Sequence, residues 1–447
     1  SCLNIDREKS NMNQTCNIVE LFSGIGSQAK ALKNLGYTIN ALGTCEWDLH
    51  AFIAYDAIHS STEISADIDE LTKLQLLKQL QAYTLSNNGK EKMDFKTLRS
   101  YSEPVLKRIL AAIRRNNNFV DVSSLTGEQL PENIDILTYS FPCQDLSNVG
   151  AFHGYNKGID KNPGSRSSLL WQVGRVLQEM QNSGRTLPKY LLMENVPTLL
   201  SERHFANFNT WINDLDKLGY VSKYFQLNAV SFGLPQNRPR LLMISAYVGN
   251  DDSLRSLVQN FFDSKNEDKI IDEYKNSEFY HEQTVADLLR TNYDNQKIYA
   301  EAVECTPNDT PSRREIWDEN PQIVLEGGIQ NPDITFIRTI TTKQDRNPNS
   351  GNIYFDSGIK GKSHFRYLTP RECLLFMGFT DEDYRSIVRD NPEIHKGSVL
   401  FPRDKIIRMA GNSIPVKLLE GVFYQIRLLD KKICRYYGCT RQKDKKL

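Results

Sequence analysis

No charge of one sign prevails in this chain of 447 residues: 55 lysines and arginines stand against 55 aspartates and glutamates. A net charge of zero speaks neither for nor against a nucleic-acid partner, which only locally placed cations could meet. No run approaches the roughly 18 apolar residues of a membrane span, and the first residues lack the apolar core of a secretory signal, so neither a spanning nor a secreted protein is expected. The eight cysteines (Cys2, Cys16, Cys45, Cys143, Cys305, Cys373, Cys434, Cys439) show neither pairing nor metal-ligand spacing. Cys434 and Cys439 stand close, but a zinc site needs two more ligands nearby, so no metal and no disulfide framework are expected. Reduced thiols then point to a cytosol-like compartment. Internal repeats and low-complexity tracts are missing too. What remains, 39% hydrophobic and 25% charged residues, is an ordinary globular composition, long enough for a large core and two or three domains.

The apolar runs recur with an α/β rhythm. Residues 1–15 are polar and read as a leader. Asn17-Ile18-Val19-Glu20-Leu21-Phe22 predicts a strand, Ser23-Gly24-Ile25-Gly26-Ser27 a tight turn, and 28–35 a helix that Gly36 ends. Residues 39–45 predict a second strand, closing on Glu46-Trp47. Further strands are expected at 119–122, from Ile134, at 190–193 and at 240–245. Strands alternating with helices predict a doubly wound α/β domain over 16–246. A helical insert at 61–118 interrupts it: Leu71, Leu74, Leu77 and Leu80 recur at spacing three, 105–115 is basic and amphipathic, and the insert is expected to pack on the sheet. Residues 247–404 differ in character. Over 251–330, 18 acidic residues face 8 basic ones, and a smaller, loop-rich domain is expected there. Helices return at 369–377 and 416–428, and 405–447 is expected to rejoin the first domain before fraying into a basic tail.

Chemistry gathers at the ends of these strands. Ser140-Phe141-Pro142-Cys143-Gln144 follows the run from Ile134. Proline stops the ladder, so Cys143 sits on a loop at a strand's carboxyl end, where open α/β sheets place ligands. A lone cysteine is usually a small buried hydrophobe; the motifs elsewhere in the chain argue for a nucleophile. Met193-Glu194-Asn195 puts a carboxyl at the end of an apolar strand, partly shielded from water, where its pKa rises and it can donate a proton. A helix-capping glutamate is the alternative. Gln236-Asn237-Arg238-Pro239-Arg240 carries two guanidiniums on alternate residues of an extended segment, expected to face one way and suited to phosphate or carboxylate. A surface salt bridge is the alternative. The Phe22 to Gly26 turn has the setting of a nucleotide-binding loop, but it lacks the third glycine that a pyrophosphate needs. Glu46 at the next strand end can take two ribose hydroxyls, and Asp121 at a third strand end an adenine amine. Together they predict an adenosine-containing cofactor.

In order along the chain, Phe22-x-Gly24-x-Gly26, Glu46-Trp47, Asp121, Pro142-Cys143-Gln144, Glu194-Asn195-Val196, Gln236-x-Arg238-x-Arg240, Arg366-Tyr367-Leu368-Thr369-Pro370-Arg371-Glu372 and Gly411-Asn412-Ser413-Ile414 resemble a known motif series. It is that of the DNA (cytosine-5)-methyltransferases of the prokaryotic, restriction-modification type, and it covers nearly the whole chain from residue 17. Ser23 and Glu20 depart mildly, standing where alanine and aspartate are common. The resemblance implies a Rossmann-like S-adenosylmethionine-dependent methyltransferase domain with a smaller, loop-rich target-recognition domain. It implies that Phe22, Gly24, Gly26, Glu46, Trp47, Asp121, Pro142, Asn412 and Ser413 bind S-adenosyl-L-methionine. Cys143, Glu194, Arg238, Arg240, Gln144 and Asn195 would form the catalytic set.

In such an enzyme the Cys143 thiolate attacks carbon 6 of a flipped-out cytosine, and a protonated Glu194 serves ring nitrogen 3. Arg238 or Arg240 would neutralise developing charge. No residue declares itself as the base that removes the carbon 5 proton. Arg166, Ser147, Lys157, Arg313 and Arg314 are expected to meet the DNA, with Arg290 and Lys297 as further cations. The expected partner is double-stranded DNA, with a cognate restriction endonuclease as an independent companion, and the expected setting is a monomer in a bacterial cytoplasm. Two other readings stay open: a tRNA cytosine-5 methyltransferase with a similar catalytic kit, and a catalytically silent nucleic-acid-binding homologue.

Overall fold

The structure, a computed structural model, describes residues 14–141 and 168–444. Six strands, β1 (Gln14–Leu21), β2 (Tyr37–Cys45), β3 (Ile136–Ser140), β4 (Tyr190–Asn195), β5 (Tyr220–Asn228) and β6 (Pro239–Tyr247), form one sheet in the order β2-β1-β3-β4-β6-β5. β1 to β4 run parallel, while β6 is antiparallel to both β4 and β5. β4 is buried along its whole length because both faces of the sheet are covered. Successive residues serve opposite faces: Ile18, Ile136, Leu192 and Ile244 join one core, and Val19, Leu137, Leu191 and Met243 the other. Helices α1 (Ser27–Asn34) and α2 (Leu49–His59) cover the first face with the C-terminal helix Val416–Asp444. The helices Ser168–Asn182 and Glu202–Lys217 cover the second, where the buried Trp211 donates its Nε1–H to Tyr139 Oη at 3.0 Å. Among the described residues, no helix is long and apolar enough to cross a membrane.

The insert packs on this layer. Its helix Glu103–Arg115 buries Val105, Leu106, Ile109 and Ile113 in the core that α2 also enters. In the helix Lys73–Leu80, Leu77 and Leu80 are buried, but Leu74 is 78% exposed. Spacing three drifts around a turn of 3.6 residues, so a run of threes cannot stay on one face. The buried carboxylate of Asp56 on α2 ties the insert down, accepting from Arg115 at 2.7 Å and Asn116 at 2.8 Å, with Arg108 at 3.5 Å.

Several expectations change. The strand expected at 119–122 does not form: Asn118 makes a single bridge to Thr44, and Val120 adopts a φ of +65°. Asp121 therefore lies on a loop beside β2 rather than at a strand end. β1 begins at Gln14, inside the expected leader. β5 has no counterpart among the expected strands, because polar residues interrupt its apolar pattern at the sheet edge. The segment after β6 opens with two helices, Asp252–Asp263 and Glu267–Lys275, which bury Leu254, Val258, Phe262 and Ile270 against β5 and the C-terminal helix. That last helix runs on through the basic tail to Asp444.

The remaining region carries a second sheet of Phe365–Arg366, Asn352–Tyr354, Gln322–Leu325 and Ile329–Gln330, neighbours in that order. Beside it Arg366 and Glu372, both fully buried, pair at 2.7 Å, and Glu372 closes a capping box with Thr369. Burial works to raise Glu372, yet the Arg366 guanidinium holds its carboxyl below the ordinary range.

Candidate active site

The carboxyl ends of β1 to β4 and the start of the reversed β6 open onto one cavity of about 470 Å³. That volume falls within the roughly 300–1,000 Å³ common to small-molecule sites. Phe22, Gly24, Glu46, Trp47 and Asp121 line it, and so do Glu194, Arg238, Arg240, Asn412 and Ser413. Residues from both ends of the sequence thus converge at one sheet edge.

The glycine turn is shaped by its neighbours. Phe22 and Gly24 take φ values of +58° and +54° as the chain leaves β1, and the Phe22 N–H donates to the Cys45 carbonyl at 2.7 Å. Glu46 is held through both carboxylate oxygens: Gly24 N–H donates to Oε2 at 3.0 Å, and Asp48 N–H to Oε1 at 2.9 Å. Each oxygen keeps a lone pair for a further donor. Burial, and then the charge of Asp48, pushes Glu46 up to about 7. Gly26 has a different task. It caps α1 at φ +83°, and a Cβ there would stand 2.3 Å from His59 Nε2, so this glycine admits α2 instead of lining the cavity.

Asn118 is marked by no motif. Its Oδ1 accepts from the N–H groups of Glu46 (3.0 Å) and Val120 (2.9 Å), and its Nδ2 donates to the Glu46 carbonyl at 2.9 Å. One side chain thereby sets Glu46 and carries the left-handed Val120 that leads to Asp121. Only its hydrogen bonds reveal this, since an asparagine in the run 116–118 has no signature of its own.

On the other side of the cavity, strand register brings Ser140 opposite Glu194, and Ser140 and Phe141 line the wall. Pro142, Cys143, Gln144, Ser147, Lys157 and Arg166 lie outside the described residues. Glu194 is 6% exposed, with Arg240 Nε 2.9 Å from its Oε1. Burial raises the Glu194 carboxyl, Arg240 and Arg238 pull it back, and the net direction is upward. The two arginines do not act as one pair. Arg238, just ahead of β6, donates to the carbonyls of Ile340 (2.7 Å), Gly411 (2.7 Å) and Ser413 (3.0 Å), pinning the segment that carries Asn412. Asn195 is fully buried, and its Oδ1 accepts from Val196 N–H at 2.8 Å, which shapes the exit from β4.

Four other thiols, those of Cys16, Cys45, Cys305 and Cys373, are buried, and burial pushes each of them up. Cys45 borders the cavity, but Glu46 and Asp121 raise it further, so it is a poor source of thiolate. Arg313 and Arg314, expected to meet the DNA, already have carboxylate partners. Arg313 is buried and pairs with Asp345 at 2.7 Å, and the exposed Arg314 is held by Asp309 at 2.7 Å. Arg290 likewise pairs with Asp381 at 2.6 Å.

A family model of C-5 cytosine-specific DNA methylases matches residues 93–427. The chain is 30% identical over 413 residues to the type II methyltransferase M2.ScrFI of Lactococcus lactis subsp. cremoris, covering 92% of this chain and 98% of that protein. It is also 30% identical over 422 residues to the orphan methyltransferase M.SssI of Spiroplasma monobiae, covering 93% and 98%. Among solved structures, the S. pombe Dnmt2 methyltransferase aligns over 94% of this chain and 99% of its own, with a TM-score of 0.54 at 16% identity, a likeness of fold.

Proposed function

Because the chain belongs to the C-5 cytosine-specific DNA methylases, we propose that its cavity holds S-adenosyl-L-methionine and that Cys143, Glu194 and Arg240 act on a cytosine turned out of the duplex. The enzyme transfers a methyl group to carbon 5 of cytosine in DNA. The observation that carries the site assignment is the meeting, around one cavity, of a carboxylate held open for donors at Glu46 and a shielded acid at Glu194.

The donor set suits the cofactor. Glu46 would accept from ribose hydroxyls, Asp121 from the adenine amine, and Asn412 and Ser413 would close over it from the far end of the sequence. When bound, S-adenosyl-L-methionine supplies an electrophilic methyl group. The protein's own groups do the rest. The Cys143 thiolate forms a carbon–sulfur bond at carbon 6, and the ring's π electrons shift so that carbon 5 becomes enamine-like. Glu194, whose carboxyl burial shifts upward, donates at ring nitrogen 3 as charge gathers there. Arg240 orients that carboxyl and adds positive charge beside it. Once carbon 5 carries the methyl group, a base takes its proton and the electrons of that bond form the 5,6 double bond. The carbon–sulfur bond breaks to release the Cys143 thiolate, and ring nitrogen 3 returns its proton to Glu194. Arg238 positions Asn412 and Ser413 through the carbonyls it binds. Turning the base out costs a few kcal/mol of unstacking. Every group named comes from one chain, so a monomer suffices. Type II and orphan relatives both occur, so the reaction needs no endonuclease companion.

A duplex with 5-fluorocytosine in place of cytosine tests this chemistry, because fluorine cannot leave carbon 5 as the proton does. With cofactor present, a detergent-stable protein–DNA adduct should form in the wild type and be lost in Cys143→Ala. Methyl transfer to ordinary DNA without any adduct would refute the covalent route.

A further inference from the structure

The helical insert reaches the cavity through its loop 86–91. Ser86 N–H donates to the Trp47 carbonyl at 2.8 Å, and Leu49 N–H donates to the Ser86 carbonyl at 2.9 Å, a parallel bridge that straddles Asp48. Gly89 turns at φ +69° against the same residue: a Cβ there would lie 3.2 Å from Asp48 Oδ2, tighter than an ordinary contact. On its other side the loop meets the helix Arg403–Asn412, where Lys405 donates to the Asn87 carbonyl at 2.7 Å. The insert loop thus touches both the segment that follows β2 and the helix that ends at Asn412.

Asp48 closes the triangle. Its N–H holds Glu46 Oε1 at 2.9 Å, and both oxygens of its own carboxylate are engaged. Oδ1 caps α2 by accepting from His50 N–H at 3.1 Å, and Oδ2 meets Arg408 Nη2 at 2.7 Å. This ion pair joins residues 360 apart in the sequence, and its side chains are only 8% and 15% exposed. Burial works against a charge on Asp48, yet His50 and Arg408 hold its carboxyl below the ordinary range. Arg408 precedes Asn412 by about one helical turn, so fixing its guanidinium fixes the end of the helix that lines the cavity. The pair also matters to Glu46 through charge. After burial, Asp48 is what raises the Glu46 carboxyl. Without Arg408 the unmatched Asp48 would favour a proton on Glu46, which would cost it an acceptor oxygen.

We propose that Asp48 and Arg408 are a positioning pair for the cofactor site. By joining the Glu46 segment to the helix that carries Asn412, with the insert loop as the third side, they set the distance between two walls of the cavity. The inference rests on the reading of that cavity as the S-adenosyl-L-methionine site, and it gives the insert a part in holding the site's shape. Neither residue meets a reacting atom, so the pair acts on binding rather than on the chemical step.

The test is calorimetric binding of S-adenosyl-L-homocysteine, the demethylated cofactor, to the full chain, beside kcat at saturating S-adenosyl-L-methionine. Arg408→Gln and Asp48→Asn should each weaken binding about tenfold, and the double variant no more than either alone, because partners in contact do not act additively. Arg408→Lys, which can keep a single charged bond to Oδ2, should restore most of the affinity. Lys405→Ala, which frees the insert loop from the helix, should weaken binding by a smaller factor. In every variant kcat should hold. Unchanged affinity in folded Arg408→Gln, with only a lower thermal midpoint, would overturn the proposal by making the pair merely structural. Losses that add in the double variant, or a fall in kcat with affinity intact, would overturn it too. Unchanged affinity in Lys405→Ala would overturn the part given to the insert. Wild-type protein that binds no S-adenosyl-L-homocysteine would overturn the cofactor reading itself, an outcome separate from any variant result.

Discussion

At Glu194 a carboxyl lies beside a guanidinium and still sits above its ordinary range, because desolvation at the end of β4 outweighs the attraction of Arg240. A carboxyl raised in this way holds a proton more readily than an ordinary glutamate and so has one to donate over a wider pH range. Glu194→Gln keeps the shape and removes the proton, so methyl transfer should fall by about 10²–10⁴ while cofactor binding is retained; single-turnover transfer and calorimetry measure the two separately. Glu20 shows the same physics in a structural place. It is fully buried beneath the glycine turn, accepting from Ala29 N–H at 3.2 Å and Tyr55 Oη at 2.5 Å, and burial pushes it from 4.5 to about 7. The folded state then binds this proton more tightly than the unfolded chain. Stability from this group is full below about 4.5 and declines as pH rises towards about 7. Glu20→Gln should flatten the thermal midpoint between those pH values, and a slope equal to wild type would contradict the assignment. Asp121 reaches the cavity from a loop where the sequence predicts a strand, whereas the places of Glu46 and Glu194 are legible in the sequence because each follows a recognisable apolar run. Asn118 and the split between Arg238 and Arg240 are not, because their roles are set by partners up to 175 residues away.

Among the elements, the buried strands are the easiest to read, since sheet faces covered on both sides demand unbroken apolar runs such as β4. β5 escapes because an edge strand tolerates the polar residues that break such a run. The stretch 119–122 misleads for the opposite reason: its composition favours a strand, but the Asn118 side chain captures the Val120 N–H and turns the backbone left-handed. The insert packs through the amphipathic stretch 105–115, as its pattern suggests, while Leu74 of the spacing-three run stays exposed. An ion-pair anchor that periodicity cannot show holds the insert down. Asp56→Ala would leave the 3%-exposed Arg108 with only the looser contact to Asp390, 3.8 Å from its Nε. Breaking a buried pair in this way costs about 3–5 kcal/mol, to be read from urea unfolding. A loss below about 1 kcal/mol, the level of a surface pair, would show that the anchor is solvated.

Across the whole molecule, the site draws on residues far apart in the chain, and Arg238 is the junction, binding carbonyls at 340, within the second region, and at 411–413, after it. The order of the motifs along the chain implies this convergence, because residues of one family keep one spatial arrangement. The distribution of charge is less legible. The acidic balance of 251–330 looks awkward for a DNA reader, and Arg290, Arg313 and Arg314 there are indeed matched by carboxylates. Lys343 and Arg346, which form no ion pair among the described residues, stand instead where the insert meets the helix Arg403–Asn412. Charge composition alone cannot tell a paired arginine from an unmatched one.

The central claim is methylation of cytosine in DNA through Cys143. Its most direct test is transfer of label from S-adenosyl-L-methionine to unmethylated bacterial genomic DNA, with Cys143→Ala alongside and bisulfite sequencing of the product. Label at carbon 5 of cytosine within one short sequence context, absent with Cys143→Ala, is the predicted result. Folded, cofactor-binding enzyme that leaves DNA unlabelled but labels tRNA, or labels neither, would contradict it.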